Sequence, residues 1–276
     1  GVVVPMVTPL NKDFTIDVIA VERIIKLFAE NGIHPLVLGT TGESSSINEK
    51  ESLKLVETSV KVKGTNQCIY VGLVGNQVDN LIKRGNQYIA LGADCVVATL
   101  PSYYGLSENQ MLLFYQTLAD KISGPVMMYN IKATTQMSIP LEVVRELSKH
   151  PNIWGLKDSE RDLERMKFCI DWYKENSNFS FFCGWGAQSF GSLKLGADGI
   201  VPSTGNYVPE MYKSLYESAL NKDWENCEKW QLETNAIAKE YQKNKTLGES
   251  LAFLKFLMNK KGFCNKTMMP PLTEIK

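Results

Sequence analysis

Histidine is scarce in this sequence, and its cysteines are not arranged to bind metal. Only two histidines occur among the 276 residues, His34 and His150, and the six cysteines include no C-x-x-C pair. Each histidine precedes an apolar run rather than following one, on the side away from the strand ends where catalytic residues of α/β proteins collect. A histidine-based triad, a histidine-rich metal site and a zinc site are therefore not expected.

The sequence also has no excess of either charge and no long hydrophobic run. Its 30 basic residues balance its 30 acidic residues, so no electrostatic field favours nucleic acid or an anionic membrane as the partner. No apolar run approaches the roughly 18 residues of a membrane-spanning helix, and the chain does not open on a charged segment followed by an apolar one, as a secretory leader does. We therefore expect a small-molecule partner, with no nucleic acid and no membrane.

The cysteines also indicate a redox environment. Cys68, Cys95 and Cys183 lie in or beside apolar runs, and the spacing of the six gives no disulfide framework. Buried reduced thiols in a reducing compartment explain this pattern. A cytoplasmic protein is the expectation.

Short apolar runs alternate with longer segments of helical spacing. The runs span residues 2–7, 35–38, 68–74, 95–100, 125–129, 153–156, 179–183 and 199–201. They are continuous, as is typical of parallel strands buried on both faces. Eight β/α alternations in about 200 residues predict an α/β fold, a (β/α)8 TIM barrel. An open doubly wound sheet is the alternative, but no G-x-G-x-x-G follows the first strand.

A repeated junction supports these units, and the pattern changes near the C-terminus. Residues 91–97 and 195–201 both begin Leu-Gly-Ala-Asp, with Gly92 and Gly196 suited to end a helix. After residue 206 only helical segments follow, at about 209–220, 224–241 and 247–260. We predict a barrel over residues 1–206 and a C-terminal helical extension over residues 207–276 packed on the barrel.

One lysine ends a predicted strand. Lys157 follows the run 153–156, and Asp158 and Ser159 then precede an amphipathic segment, which predicts a helix whose N-cap is one of these two residues. A lysine at the rim of an apolar core can attack a carbonyl carbon, because desolvation disfavours its charged form. Since most lysines are simply solvated, this interpretation needs support from the rest of the chain.

A barrel brings the C-terminal ends of its strands to one face. The residues predicted there are Thr8, residues 39–44, Tyr103, Tyr104, Tyr129, Asn130, Lys157, Gly184, Ser203 and Thr204. Backbone N–H groups of a Gly-Thr-Thr-Gly turn can bind a carboxylate, and a tyrosine can carry protons to and from a carbinolamine. Hydroxyls around one amine thus suit a carbonyl substrate that bears a carboxylate.

Each of these residues also has a purely structural interpretation. The Gly-Thr-Thr-Gly segment has the composition of a tight turn, with Ser44 or Ser45 as the cap of the next helix. Tyr103 and Tyr104 suit a solvated rim, and Tyr129 suits a core position with a bonded hydroxyl. Only the combination favours catalysis.

Five motifs occur in the order, and at close to the spacing, of a known family. They are Gly39-Thr40-Thr41-Gly42-Glu43, Pro101-Ser102-Tyr103-Tyr104, Tyr129-Asn130, Gly155-Leu156-Lys157-Asp158 and Gly196-Ala197-Asp198-Gly199. Together they resemble the dihydrodipicolinate synthase / N-acetylneuraminate lyase family over nearly the whole chain. The resemblance implies a (β/α)8 barrel, usually a tetramer, that makes or cleaves 2-oxo acids through a lysine imine with pyruvate. Such chemistry needs no metal and no organic cofactor.

The resemblance also implies catalytic roles. Lys157 would form the imine, and Tyr129 would transfer protons. Thr40 would relay protons between Tyr129 and Tyr103, the latter reaching in from a neighbouring subunit of a tetramer or dimer. Thr41 would hold the pyruvate carboxylate.

The second substrate is where the sequence departs from the family. The resemblance implies that the backbone of Val201 and the hydroxyl of Ser203 face this substrate. Typical dihydrodipicolinate synthases carry an arginine five positions after the strand-five tyrosine, and here that position is Thr134. Lys132 stands where a proline is usual and is the alternative source of the missing charge, although neighbouring side chains of an extended segment point to opposite sides.

N-acetylneuraminate lyases carry an Asp-Glu pair after the strand-seven glycine, whereas Gly184 is followed here by Trp-Gly-Ala-Gln. We therefore predict a class I aldolase or lyase that joins or separates pyruvate and an aldehyde, acting on a 2-keto-3-deoxy sugar acid or related 2-oxo acid. Dihydrodipicolinate synthesis from pyruvate and aspartate semialdehyde, N-acetylneuraminate cleavage, and non-catalytic binding of a 2-oxo acid are the alternatives. The proton-relay residues argue against the last.

Overall fold

The computed structural model describes residues 1–174 and 178–275 of the chain. Eight strands close into a barrel in which each strand neighbours the next in the chain. They are β1 (Val2–Pro5), β2 (Ile33–Val37), β3 (Tyr70–Leu73), β4 (Cys95–Thr99), β5 (Val126–Asn130), β6 (Ile153–Asp158), β7 (Ser180–Cys183) and β8 (Gly199–Ile200). The predicted barrel is confirmed, and closure excludes the open doubly wound sheet.

Helices connect the strands and follow the last of them. Those of the described residues are α1 (Val18–Glu30), α2 (Glu49–Val62), α3 (Val78–Ala90), α4 (Glu108–Lys121), α5 (Lys132–Thr135), α6 (Leu141–Leu147), α7 (Leu163–Tyr173), α8 (Ser189–Leu195), α9 (Pro209–Leu220), α10 (Trp224–Gln242) and α11 (Leu247–Lys260). The three C-terminal helices lie where the sequence predicts them. Across residues 1–174 and 178–275, no helix combines the length and apolarity needed to cross a membrane.

Some strands end at other residues than the apolar runs that predict them. An apolar run shows which residues are buried, but not which of them form the hydrogen bonds of the sheet. Met6 and Val7 are buried, yet β1 ends at Pro5, and the Val7 N–H donates to the Asn206 side chain at 3.0 Å. In the other direction, β6 continues past the apolar run to Asp158, so Lys157 lies inside the strand.

Helix caps also differ at two of the predicted positions. Asn48 caps α2 and accepts the Glu51 N–H, so neither Ser44 nor Ser45 is the cap. Asp162 caps α7 and accepts the Arg165 N–H, so the prediction of a cap at Asp158 or Ser159 is wrong. In both loops the residue that caps is the one directly before the first helical turn, because only its side chain reaches the exposed N–H groups.

Residues 1–69 and 202–276 form one compact unit. It contains β1, β2, α1, α2 and the three C-terminal helices α9, α10 and α11. Helix α1 packs on α2, and α10 packs on both α9 and α11. Helix α9 also contacts β1 and the 3-10 turn at Ser203–Asn206, so the helical extension is packed against the strand region of its own unit.

Residues 70–201 form the second compact unit, with β3 to β8 and α3 to α8. Strands β4 and β5 are buried along their whole length, as expected from their continuous apolar runs. The repeated junction has the same geometry twice, with φ of 100° at Gly92 and 102° at Gly196. This left-handed backbone favours glycine and ends the helix, which confirms the predicted junction.

None of the six cysteines forms a disulfide, and five of them are buried. Burial raises the pKa of Cys183 to about 11 and that of Cys169 to about 12. These thiols therefore stay protonated at neutral pH and are poor nucleophiles.

Candidate active site

Lys157 is buried inside the unit of residues 70–201. It is the next-to-last residue of β6 and is only 3% exposed. In the parallel ladder it lies opposite Tyr129 of β5 and Phe182 of β7. Because side chains alternate along a strand, Lys157 points to the opposite face from Asp158.

The amine of Lys157 lies against an aromatic ring. Its Nζ atom is 3.7 Å from the centre of the Tyr129 ring, a distance at which the ring face attracts a cation. Within the described chain, no carboxylate is at ion-pair distance from this nitrogen. No anionic side chain there competes with a substrate carbonyl for the amine.

Ser159 reaches the same tyrosine from the end of β6. Its Oγ atom donates to the Tyr129 hydroxyl at 3.4 Å, and a Cβ at Gly184 would lie only 2.1 Å from this Oγ. Gly184 therefore leaves the space that the Ser159 hydroxyl occupies. The Gly184 N–H donates to the Asp158 carbonyl at 2.7 Å, which fixes the glycine beside β6.

The outward-facing residues at the ends of β5 and β6 form a buried polar cluster. Arg165 Nε lies 2.7 Å from Asp158 Oδ2, and Asn130 Nδ2 donates to both Asp158 oxygens at 3.2 and 3.1 Å and to Glu160 at 2.9 Å. Ser138 donates a short hydrogen bond to Glu160. Asp158 thus braces the two strands that carry Lys157 and Tyr129 instead of capping α7.

The two carboxyl groups of this cluster have opposite pKa shifts. Burial raises the pKa of Asp158, although the adjacent Arg165 guanidinium opposes the shift. Burial alone would also raise the pKa of Glu160, but hydrogen bonds from Ser138 and Asn130, with the nearby cationic side chains, lower it below its usual range. Glu160 is therefore the carboxylate that the cluster holds firmly in the ionised form.

The segment after β5 is helical, which corrects the prediction of an extended conformation there. Lys132 and Thr134 both belong to the single turn of α5. Lys132 is exposed and its Nζ lies 3.7 Å from Glu160 Oε1, and the Thr134 hydroxyl donates to the Ile131 carbonyl at 3.3 Å. The lysine charge is thus directed to Glu160, and the Thr134 hydroxyl is bonded within its own turn.

Tyr103 and Tyr104 protrude from the segment after β4. They are 79% and 75% exposed, and their rings meet edge to face with centres 4.9 Å apart. Both line a surface cavity of about 470 Å³ whose other walls include Leu106, Leu113 and Phe114. Within residues 70–174 and 178–201, no hydrogen bond or ring contact joins Tyr103 to Lys157 or Tyr129.

The other unit contains the Gly-Thr-Thr-Gly turn that follows β2. The Thr8 hydroxyl, fully buried, donates to the Gly42 carbonyl at 2.6 Å, and a Cβ at Gly42 would lie 3.0 Å from the Met6 carbonyl. Thr41 is buried and Thr40 half-buried. The predicted carboxylate-binding turn is therefore packed closely against the residues that follow β1.

Ser203 also lies in this unit, in the 3-10 turn that the chain enters after β8. Its Oγ is 2.9 Å from the Tyr241 hydroxyl, which is also 2.9 Å from Thr204 Oγ1. Asn206 donates to the carbonyls of Pro5 and Ser203. In the unit of residues 70–201, the Val201 N–H donates to the Cys183 carbonyl at 2.7 Å, which places Val201 beside the end of β7.

Sequence reasoning missed three side chains that contact the predicted site residues. The pattern indicates a helix cap at Asp158 or Ser159, whereas the position of Ser159 two residues after Lys157 indicates a place in the site. Tyr241, which contacts Ser203, and Arg165, which pairs with Asp158, lie in helices, where nothing in the local pattern marks them. Considering only residues 1–174 and 178–275, no three His, Cys, Asp or Glu side chains come together as a metal site would require.

A closed (β/α)8 barrel with a buried lysine near the end of its sixth strand is the arrangement of lysine-dependent aldolases. Comparison with known proteins identifies the family. The family model described as "Dihydrodipicolinate synthetase family" matches residues 1–276. The chain belongs to this family. It is accordingly an aldolase or lyase of class I, the type of enzyme that the family comprises.

Individual relatives agree with this assignment. An uncharacterised DapA-like lyase of Pyrococcus horikoshii is 30% identical over 273 residues, which cover 98% of this chain and 93% of the relative. A 4-hydroxy-tetrahydrodipicolinate synthase of Macrococcus caseolyticus is 30% identical over 219 residues, 79% of this chain and 73% of the relative.

Solved structures give the same fold. Dihydrodipicolinate synthase of Bacteroides thetaiotaomicron matches with a TM-score of 0.92 and 26% identity, covering 100% of this chain and 93% of that one. The YagE protein of E. coli K12, solved in complex with pyruvate, matches with a TM-score of 0.94 and 22% identity over 100% of this chain and 93% of its own.

Proposed function

We propose that this enzyme makes or cleaves a carbon–carbon bond through an imine between Lys157 and pyruvate. The observation that carries the proposal is the buried Lys157 amine, which lies on the Tyr129 ring and has no carboxylate partner in the described chain. The amine attacks C2 of the 2-oxo acid, and the carbinolamine loses water to give a protonated imine. The positively charged imine then accepts the electron pair of the broken bond.

In the cleavage direction, Tyr129 removes the proton from the C4 hydroxyl of the bound 2-oxo acid. The C3–C4 bond breaks, the C4 fragment leaves as an aldehyde, and the bond electrons form an enamine with the imine. Protonation of C3 and addition of water to the imine release pyruvate and the free amine. Ser159, at hydrogen-bond distance from the Tyr129 hydroxyl, orients it for these transfers.

The threonines that follow β1 and β2 serve the carboxylate of the substrate. Thr41 and the backbone N–H groups of its turn bind the carboxylate, and Thr8 holds that turn through the Gly42 carbonyl. Thr40 relays protons between Tyr129 and Tyr103. This arrangement follows the roles that the family resemblance implies.

The acceptor aldehyde is that of a 2-keto-3-deoxy sugar acid or a related 2-oxo acid. A bidentate arginine clamp for a second carboxylate is missing at Thr134, and Lys132 is engaged by Glu160, so nothing in this segment favours an acidic aldehyde over a hydroxylated one. Val201, Ser203 and Gly184 face the aldehyde portion. Synthesis of dihydrodipicolinate from aspartate semialdehyde is the less favoured alternative.

The proposal includes pyruvate as a substrate, a homo-oligomeric assembly and a cytoplasmic location. YagE and the dihydrodipicolinate synthase of Acinetobacter baumannii were both solved with pyruvate, which supports pyruvate as the shared component here. The exposed Tyr103 and Tyr104 beside an apolar cavity support a homo-oligomer, a tetramer or dimer, in which Tyr103 reaches the site of its neighbour. We place the protein in the cytoplasm because of its buried, unbridged thiols.

The test of the imine is trapping with borohydride. Wild-type protein is mixed with pyruvate, reduced and digested, and mass spectrometry should find a carboxyethyl group on Lys157. Lys157→Ala should abolish both the adduct and turnover while the circular dichroism spectrum is unchanged, and Lys167→Ala, at an exposed position of α7, should leave both intact. Folded wild-type protein without an adduct would contradict the mechanism and favour a 2-oxo-acid-binding protein or another donor.

Steady-state assays then identify the aldehyde. Pyruvate release from a panel of 2-keto-3-deoxy sugar acids is compared with the consumption of pyruvate and aspartate semialdehyde. Turnover of the sugar acids alone supports the proposed substrate class. Turnover of aspartate semialdehyde alone would overturn that class but not the imine.

A further inference from the structure

Glu43 ends the Gly-Thr-Thr-Gly turn in an unusual conformation. Its φ is 57° and that of Leu38, on the other side of the turn, is 53°. Non-glycine residues with such a left-handed backbone persist only where the surroundings enforce it, and they concentrate at functional sites. The Glu43 N–H donates to the Thr40 carbonyl at 3.2 Å, so the position of Glu43 fixes that of the threonine.

The surroundings that enforce this conformation come from the C-terminal helical extension. Lys255 of α11 places its Nζ 2.5 Å from Glu43 Oε1 and donates to the Thr267 carbonyl at 2.7 Å. The other Glu43 oxygen accepts the Met269 N–H at 2.7 Å. The turn after β2 is therefore joined to α11 and to the segment that follows it.

This ion pair is fully buried, with side-chain exposures of 1% for Lys255 and 0% for Glu43. A buried ion pair is seldom more stabilising than an apolar pair of similar size, since desolvation offsets the attraction. What it does supply is a defined geometry, because each charge must meet its partner. The Lys255–Glu43 pair is therefore better explained by the position that it gives to residues 39–43 than by a gain in the free energy of unfolding.

We propose that Lys255 is a positioning residue that, through Glu43, holds residues 39–43 in the conformation that binds the carboxylate of the 2-oxo acid. The proposal rests on the carboxylate-binding function proposed above for Thr40 and Thr41. It assigns the helical extension a direct part in substrate affinity. Lys255 itself touches no substrate.

The test compares Lys255→Met with the double variant Glu43→Gln/Lys255→Met. The single variant leaves a buried carboxylate without its counter-charge and should lower the melting temperature. The double variant removes both charges, so most of the melting temperature should return. The double variant no longer holds residues 39–43 in place. The pyruvate concentration that gives half-maximal borohydride trapping should therefore be about tenfold or more higher than in wild type. Trapping at saturating pyruvate should reach the wild-type level.

A second measurement does not depend on pyruvate. Amide hydrogen exchange of the peptide that covers residues 38–46 should be faster in the double variant than in wild type. Lys266→Met removes an exposed ion pair with Glu274 in the same tail and should change neither exchange nor trapping.

The outcomes separate this proposal from the proposed function. A double variant with wild-type half-saturation and wild-type exchange would overturn the role of Lys255 while leaving the imine intact. Wild-type protein that is never trapped would overturn the imine, and faster exchange in the double variant would then still support the hold on the turn. If the double variant recovered both wild-type pyruvate affinity and the melting temperature, the Lys255–Glu43 pair would contribute to folding stability but not to pyruvate binding.

Discussion

Two lysines of this chain are buried in opposite surroundings. Lys255 meets the Glu43 carboxylate at 2.5 Å, whereas Lys157 meets the face of the Tyr129 ring at 3.7 Å. The Lys255 amine is therefore occupied by a buried side-chain partner. Lys157, which lies against a neutral ring, is the lysine that we propose for covalent chemistry.

The proton transfers provide a test at Tyr129. Tyr129→Phe keeps the ring that contacts Lys157 but removes the hydroxyl, so turnover should fall by roughly two to four orders of magnitude, the usual effect of losing a general acid–base group. Steady-state kinetics measure the loss. Ser159→Ala, which removes only the orienting partner, should cost less, and an unchanged rate in Tyr129→Phe would remove Tyr129 from the mechanism.

Thr134 tests the basis of aldehyde selection. Thr134→Arg introduces the arginine that typical dihydrodipicolinate synthases carry. It should raise kcat/KM for aldehydes with a carboxylate relative to kcat/KM for aldehydes without one. Since α5 is a single helical turn, Ala133→Arg on the same turn serves as the control. No shift, or an equal shift in the control, would count against the correspondence of Thr134 with that arginine.

At the scale of elements, strands β5 and β6 are joined twice. Their inward residues Tyr129 and Lys157 lie opposite each other in the ladder, and their outward residues Asn130 and Asp158 are hydrogen bonded. Arg165 ties α7 to this outer pair. The spacing between the tyrosine and the lysine is thus set by contacts on both faces of the sheet.

The ionised Glu160 of this cluster predicts a dependence of stability on pH. Its pKa is lowered in the folded protein, so its contribution is fully present above the unfolded-state pKa and is lost as the pH falls through the folded value. Glu160→Gln should therefore reduce the free energy of unfolding at pH 7, and the difference from wild type should shrink toward acid pH.

Denaturant titrations at several pH values measure this difference. Glu164→Gln, at an exposed position of α7, is the control and should behave as wild type throughout. A constant difference between Glu160→Gln and wild type from neutral to acid pH would contradict the linkage.

At the scale of the whole molecule, the exposed tyrosines predict an oligomer whose contact includes the cavity beside them. Leu113 lines that cavity and is 64% exposed. Leu113→Asp should shift the protein toward monomers in sedimentation velocity and should lower turnover, because Tyr103 of a neighbour is lost from the relay. Leu232→Asp, at an exposed site on α10 outside the cavity, should do neither. A monomeric variant with full activity would exclude a role for the neighbour's Tyr103.

Much of the fold follows from local pattern. Continuous apolar runs separated by helical spacing specify strands buried on both faces, and two glycines at φ near 100° mark the repeated helix ends. The local pattern gives the wrong prediction at Asp158. Aspartate is a residue type typical of helix N-caps, but Asp158 pairs with Arg165 instead. Which partner an aspartate takes depends on the packing around it, and a window of sequence does not contain that packing.

The barrel, the family resemblance and a lysine near the end of the sixth strand are readable from the amino-acid sequence, because they depend on periodicity and on motifs within a few residues. The neighbours that each side chain meets depend on how distant segments pack. The ring beneath Lys157, the hydroxyl of Ser159 beside Tyr129, and the pairing of Glu43 with Lys255, which is 212 residues away along the chain, all arise from packing between distant segments. Burial makes such contacts matter, since a charge or hydroxyl removed from water must find its partner within the protein.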